Sequence, residues 1–113
     1  MAIEISQREA APGIAVIALS GKMMLGTGTE EIVRRVDELL GKGTRTIIFD
    51  LSGVTTLDST GVGQFISSFN RIVTVGGEMR MAGAKGYVLE TFRVSLLDRM
   101  FPFYGTVEDA ARV

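Results

Sequence analysis

The sequence predicts an α/β domain in which an open, mixed sheet of four to five strands carries about four helices packed against it. Three observations lead there. Two short apolar runs rich in β-branched residues, Gly13–Leu19 and Thr46–Leu51, are bounded by turn residues, as buried strands are. After each of them, apolar residues recur at helical spacing, over 32–40 and again over 62–73. Each helical stretch then closes on glycines, Gly41 and Gly43 in one case and Gly76-Gly77 in the other. Strands alternating with helices imply parallel neighbours joined by right-handed crossovers. A chain of 113 residues fits one domain over residues 1–113. Folding at that length buries about two-thirds of the surface that the unfolded chain exposes.

Taken in order, Ile3 to Arg8 alternates loosely and reads as a first strand, which Pro12-Gly13 turns into the second to make a hairpin. Gly21 to Gly28 is a loop or a strand end. Thr27 or Thr29 can cap the helix that follows, and Thr27 with Glu30 has capping-box spacing. On that helix Ile32, Val33, Val36, Leu39 and Leu40 share one face, and Glu30, Glu31, Arg34, Arg35 and Glu38 form the solvated other side. Thr46–Leu51 is the expected central strand, and Ser52 to Thr60 turns back over its end. A second helix begins near Ser59 or Thr60, with Val62, Phe65, Ile66, Phe69, Ile72 and Val73 inward. Glu78–Ala82 alternates as a further strand that sends Met79 and Met81 to the core. Gly86 to Val94 is helical with Val88, Leu89 and Phe92 inward, and Leu96, Leu97, Met100 and Phe101 extend that apolar surface. Pro102 stops it, Phe103-Tyr104 forms a short strand, and Thr106 caps a terminal helix from Val107. In open sheets of this kind, ligands and partners meet the loops at the carboxyl ends of the strands. Leu57-Asp58-Ser59-Thr60-Gly61 is expected at one of those ends.

Composition removes several classes of function. Apolar residues make up 46% and charged residues 22%, the balance of an ordinary soluble domain. The net charge of −1, with the signs mixed along the chain, gives no basic footprint for nucleic acid. Without cysteine there are no disulfides or thiolate metal sites. Without histidine the commonest general base, the commonest metal ligand and every Ser-His-Asp triad are missing. Met1-Ala2-Ile3-Glu4 does not open like a signal peptide, and no apolar run approaches the roughly 18 residues of a membrane span. A cytoplasmic protein with no membrane insertion is the expectation.

The chemistry concentrates at Asp58-Ser59-Thr60-Gly61. A serine at a helix start can accept a hydrogen bond from a free amide of the first turn, a capping role worth about 0.5–2 kcal/mol. The same amides and the helix dipole favour an anion there, so a phosphate on Ser59 need not disrupt the fold. It would add about −1.5 to −2 charges and three acceptor oxygens. The carboxylate of Asp58 would push that phosphate outward. Gly61 and Gly63 keep the turn slim, either to let another protein approach the backbone or simply to shape the turn.

The block Ile47-Ile48-Phe49-Asp50-Leu51-Ser52-Gly53-Val54, followed by Leu57-Asp58-Ser59-Thr60-Gly61-Val62-Gly63, resembles the signature of STAS-domain anti-sigma factor antagonists. Further segments match in order: Leu19-Ser20-Gly21, then Gly76 to Met81, then Leu96 to Pro102, then Thr106 to Ala110. The resemblance covers nearly the whole chain. It implies a partner-switching cycle. The unphosphorylated antagonist binds an anti-sigma factor that is itself a Ser/Thr protein kinase, and the sigma factor is freed. The kinase then phosphorylates the serine after the aspartate, Ser59 by position, and the antagonist lets go until a phosphatase resets it. ATP and magnesium come with the kinase, so no cofactor is expected on the antagonist.

One stretch departs from the family pattern. Many antagonists carry a Gly-Glu-Leu-Asp-like segment after the second strand, and here it reads Gly21-Lys22-Met23-Met24. Lys22 and Met24 replace two acidic side chains, and the stretch Gly21-Lys22-Met23-Met24-Leu25-Gly26 resembles a variant branch of the family with a Gly-Lys-hydrophobic-Leu-Gly motif. Lys22 and Met24 join Asp58, Ser59, Thr60, Gly61 and Gly63 as expected partner-binding residues. Lys22 could pair with Asp58 or with a phosphate on Ser59, or could be a solvated loop charge. Met23 and Met24 could be core or an adaptable contact surface. The departure also fits a STAS module of another kind, a scaffold or a subunit of a lipid-transport complex. An enzyme using Ser59 as nucleophile is disfavoured, because no histidine can activate the hydroxyl and the next lysine is Lys85. Direct nucleotide binding, which the resemblance leaves open, lacks a phosphate-loop motif. Asp50 is assigned a hydrogen-bonding role rather than a metal-binding one.

Overall fold

The computed structural model describes residues 2–112. Strand β1 (Glu4–Ala11) turns through Pro12-Gly13 into β2 (Ile14–Met23), with Gly13 at the positive φ (79°) that the two-residue turn requires. Helix α1 (Glu31–Gly41), β3 (Thr46–Leu57), α2 (Ser59–Thr74), β4 (Glu78–Ala82) and α3 (Gly86–Val94) follow. A 3₁₀ turn (Leu97–Arg99), β5 (Phe103–Tyr104) and α4 (Val107–Ala111) complete the chain. The strands form one five-stranded sheet in the order β1-β2-β3-β4-β5. The first pair is antiparallel and the remaining pairs are parallel. The expected order of elements and the parallel pairing of strands joined through α1, α2 and α3 are therefore present.

The two faces of the sheet are covered unequally. Ile17, Leu19, Ile47, Phe49, Met79 and Met81 face a large core closed by Ile32, Val36 and Leu39 of α1, Phe65 and Ile72 of α2, and Val88 and Phe92 of α3. On the opposite face Val16, Ile48 and Ala82 meet Val107 and Ala110 of the short α4. Burial on both faces explains why the central strands are continuous apolar runs. Four phenylalanines knit the large core: Phe65 stands edge-on to Phe49 (5.2 Å) and to Phe92 (5.5 Å), and Phe92 meets Phe103 at 5.0 Å. Arg80, on the α4 side, donates to the Ala110 carbonyl at 2.9 Å and to Glu78 at 2.8 Å, which anchors α4.

Several boundaries differ from the sequence reading. Of the two alternatives for Gly21–Gly28, the strand end holds for Gly21–Met23, since the second strand runs on to Met23. The third strand does not stop at Leu51 but continues to Leu57, while β4 pairs with it only as far as Asp50. The carboxylate of Asp50 accepts from the Ser52 amide (3.0 Å) and hydroxyl (2.8 Å), and the β2–β3 register shifts just beyond. Local turn chemistry thus produces a bulge inside a strand instead of ending it. Neither Thr27 nor Thr29 caps α1. Glu30 holds the cap position without a side-chain bond, and the helix is entered through Glu31 N–H to Gly28 carbonyl (3.1 Å) and Ile32 N–H to Thr29 carbonyl (3.0 Å). Thr29 is buried, and the Thr27 hydroxyl is engaged with Met24. Val73 is 43% exposed and lies off the buried face of α2. Leu97 and Phe101 are core, but Leu96 and Met100 are exposed, because Leu96 turns the chain away from α3 in the left-handed region (φ 60°). Thr106 caps α4 as expected, accepting from Asp109 N–H at 3.1 Å.

Candidate functional site

Because β3 outruns β4, strands β2 and β3 rise together past the sheet and end side by side, with Met23 opposite Leu57. The β2–α1 loop and the start of α2 meet at that tip. Asp58 joins them. Its backbone is extended, its N–H donates to the Met23 carbonyl (3.1 Å), and its carbonyl opens α2 by accepting from Val62 N–H (3.0 Å). One carboxylate oxygen accepts from Thr60 N–H (2.9 Å) and Gly61 N–H (3.1 Å), and the other accepts from Leu25 N–H (3.1 Å). Asp58 is therefore the N-cap of α2.

This corrects the capping role considered for Ser59. Ser59 is the first helical residue, exposed, and its hydroxyl takes no part in the cap. Thr60 is half-buried beside it. Gly61 is buried, and a Cβ there would lie 2.6 Å from both the Met23 carbonyl and Leu57 Cδ1. Its small size serves the packing of α2 against the tips of β2 and β3, not the approach of another molecule. Gly63, in contrast, has no atom within 4 Å of where a Cβ would stand.

Met23 and Met24, treated alike in the sequence, separate. Met23 is fully buried, and Met24 is 37% exposed with its sulfur 3.5 Å from the Thr56 hydroxyl. Lys22 is exposed, alternates with the buried Met23, and lines an open cleft with Glu4, Ser20 and Thr55 on the other side of the ribbon. It makes no ion pair with Asp58, whose oxygens are taken by amides. The structure thus gathers Met24, Asp58, Ser59, Thr60 and Gly61 at one tip and sets Lys22 apart. It adds a residue that sequence reasoning passed over. Leu25 is 81% exposed beside Asp58, and the sequence showed it only as part of the Gly21-Lys22-Met23-Met24-Leu25-Gly26 stretch, outside any period.

The electrostatics of the tip are simple. The Leu25 amide above all, then those of Gly61 and Thr60, hold the Asp58 carboxyl below its ordinary pKa of 3.8, against a smaller opposing effect of burial. A depressed carboxyl contributes its stabilising bonds above the unfolded value and loses them as pH falls through the folded one. The link between the loop and α2 is therefore expected to survive to a pH below 3.8. An NMR titration of the Leu25 and Gly61 amides should show a shared midpoint there. A midpoint at or above 3.8 would mean that the link is absent in solution.

Chemically, the tip offers an exposed hydroxyl beside a carboxylate whose oxygens accept from three amides. The sequence has no histidine, and no group of three carboxylates, cysteines or histidines placed to hold a metal ion occurs among the described residues. The Thr60 and Gly61 amides already bind Asp58, so a phosphate on Ser59 would find them occupied and project into solvent. No helix among the described residues is long and apolar enough to cross a membrane.

A mixed sheet with three helices on one face and a short one on the other, and with its distinctive loop chemistry at the carboxyl end of β3, defines a small α/β class. The STAS domain family matches residues 6–110, and the chain belongs to that family. A relative from Thermotoga neapolitana, a TM1081 homologue named as an anti-sigma factor antagonist, is 30% identical over 74 residues. That alignment spans 66% of this chain and 66% of the relative. Among solved structures, an anti-sigma factor antagonist from Mycobacterium paratuberculosis superposes with a TM-score of 0.83 at 22% identity, covering 97% of this chain and 92% of that one. The phosphorylated form of the Bacillus cell-fate determinant SpoIIAA gives 0.75 at 21% identity, covering 96% of each chain. Both likenesses establish the fold.

Proposed function

We propose that this protein is an anti-sigma factor antagonist switched by phosphorylation of Ser59. The unphosphorylated form binds an anti-sigma Ser/Thr kinase in the cytoplasm, phosphorylation by that kinase releases it, and a phosphatase restores it. The observation that carries this reading is the division of labour at the start of α2: Asp58 caps the helix, which leaves the exposed Ser59 hydroxyl unused by the fold. The relatives named as antagonists, and the existence of a phosphorylated form of one protein with this fold, support the same reading. A charge added at this exposed tip would alter a contact surface without a cofactor and without remodelling the core.

Incubation with ATP and each candidate kinase of its own genome, followed by intact-mass measurement and phosphosite mapping, tests the proposal. One phosphate on Ser59, absent from Ser59→Ala, is expected. Ser59→Asp should bind the kinase about tenfold more weakly than Ser59→Ala, since a carboxylate left without a partner in a contact costs roughly 1–3 kcal/mol or more. Equal binding by the two variants, or no phosphate with any active candidate, would sink it. The exposed Lys22 and Met24, standing where many antagonists are acidic, favour a second reading as a STAS scaffold or lipid-transport subunit. A transporter operon around the gene would support that one.

A further inference from the structure

Strand β1 is the long free edge of the sheet. At the other edge β5 spans 2 residues, whereas β1 spans 8 and holds no proline. Among the described residues, no backbone group of Glu4–Arg8 is bonded outside the β1–β2 ladder. Alternate amides and carbonyls of that segment therefore point away from the sheet into solvent. Edges of this kind are normally blunted by proline, by a bulge or by charges that repel a second edge. A bulge is present, but it lies between Glu9 and Ala11 and leaves Glu4 to Arg8 in regular register against Ser20 to Val16. The charges of the regular segment are opposite in sign. Glu4 and Arg8 stand at its two ends with Ser6 midway, and all three are exposed. They share the face of β1 turned away from the large core, since Ile5 between them packs on that core. Neither charge joins an ion pair among the described residues.

We infer that β1 is a self-association edge, through which two copies of this chain pair antiparallel over Glu4–Arg8 about a two-fold axis at Ser6. In that register each Glu4 faces the Arg8 of the other copy, Ile5 faces Gln7, and the two Ser6 residues face each other. A slip of one residue toward the turn would set Glu4 against Glu9, two like charges. The order of the charges carries the inference, because a charge placed to guard an edge repels its own copy and this pair attracts it. The axis reverses strand direction, so the two Ser59 tips lie at opposite ends of the joint sheet. The dimer is thus bivalent toward whatever meets that tip, and its existence does not depend on the switch. So short a pairing is a small interface, for which a roughly micromolar dissociation constant is expected.

Sedimentation velocity of the full chain over a concentration series tests the dimer, alongside Glu4→Arg, Arg8→Glu and the variant carrying both. The parent should pass from monomer to dimer between roughly 1 and 100 μM. Each single reversal acts twice by symmetry and should weaken the dimer about tenfold, and the double reversal should restore it to within about threefold. The register is tested separately with single cysteines, since the sequence has none of its own. Directly opposed residues of an antiparallel pair have Cα atoms about 4.5–5.5 Å apart, within disulfide reach, so Ser6→Cys should oxidise to a covalent dimer. Glu9→Cys, whose copies would stand about 20 Å apart, should not. Cross-linking needs no reversed charge, so it decides the matter even where a reversal fails to fold. A parent that stays monomeric at roughly 300 μM overturns the inference. So does a dimer indifferent to all three charge variants, or one cross-linked as readily through Glu9→Cys as through Ser6→Cys.

Discussion

Phe65→Ala is expected to destabilise the protein by about 3–5 kcal/mol, the cost of removing a large aromatic side chain from a packed core. Phe65 is fully buried on α2 and lies edge-on between Phe49 of β3 and Phe92 of α3, so its ring is what joins two helices to the central strand. A domain of this size has a total stability of about 5–15 kcal/mol, so the loss is a large share of it. Thermal unfolding followed by circular dichroism should show a midpoint lowered by roughly 10–20 °C. Val73→Ala, on the same helix but on its exposed side, should change stability by less than about 0.5 kcal/mol. Comparable losses in the two variants would contradict the placement of α2.

Gly61→Ala and Gly63→Ala should act with opposite signs, although the two glycines lie a single residue apart in one helix. At Gly61 the new methyl would meet the Met23 carbonyl and the buried Leu57 at 2.6 Å. That carbonyl is held by Asp58 N–H and cannot retreat without breaking the link between β2 and α2. Overpacking of this kind costs about 1–3 kcal/mol, and relief by a shift of α2 would also move Ser59. At Gly63 there is open space, and replacing a helical glycine by alanine stabilises by roughly 0.5–1 kcal/mol. Urea denaturation of the two variants measures both effects. Destabilisation by Gly63→Ala as large as that by Gly61→Ala would show that the contact at Met23 is not what constrains the first turn.

The elements themselves were legible because their signals are local. The bounds of α3 and β4 follow from a helical period and a β-alternation, each closed by its own glycines or proline, and the structure places them at Gly86–Val94 and Glu78–Ala82. The continuation of β3 was not legible. Asp50-Leu51-Ser52-Gly53 carries turn chemistry, and only pairing with the far end of β2 keeps it in the sheet. The choice of cap was likewise decided at a distance. Asp58, Ser59 and Thr60 can each cap a helix, and it is the Leu25 amide, from a loop 33 residues earlier, that adds a third bond to Asp58 and settles the matter. Thr27 failed as a cap for the converse reason, its hydroxyl being engaged by the turn that holds Leu25. The meaning of Gly61 lay in a contact with Met23 that no spacing could reveal. The serine was found by motif, but the freedom of its hydroxyl became visible only once the cap was known.

The occupation of the α2 amides by Asp58 bears on how a signal could be kept. A protein that stores a signal as a change of shape spends folding energy on one of its two states and relaxes by itself toward the other. Here the aspartate occupies the Thr60 and Gly61 amides, so the fold does not offer those two donors to a phosphate on Ser59. Under the proposed switch the marked and unmarked proteins share one architecture and nearly one stability. The mark then has no intrinsic decay through the conformation of the protein, and its lifetime is set entirely by the enzymes that write and erase it. Such a molecule behaves as a counter read by others, and its content is the number of copies in each covalent state.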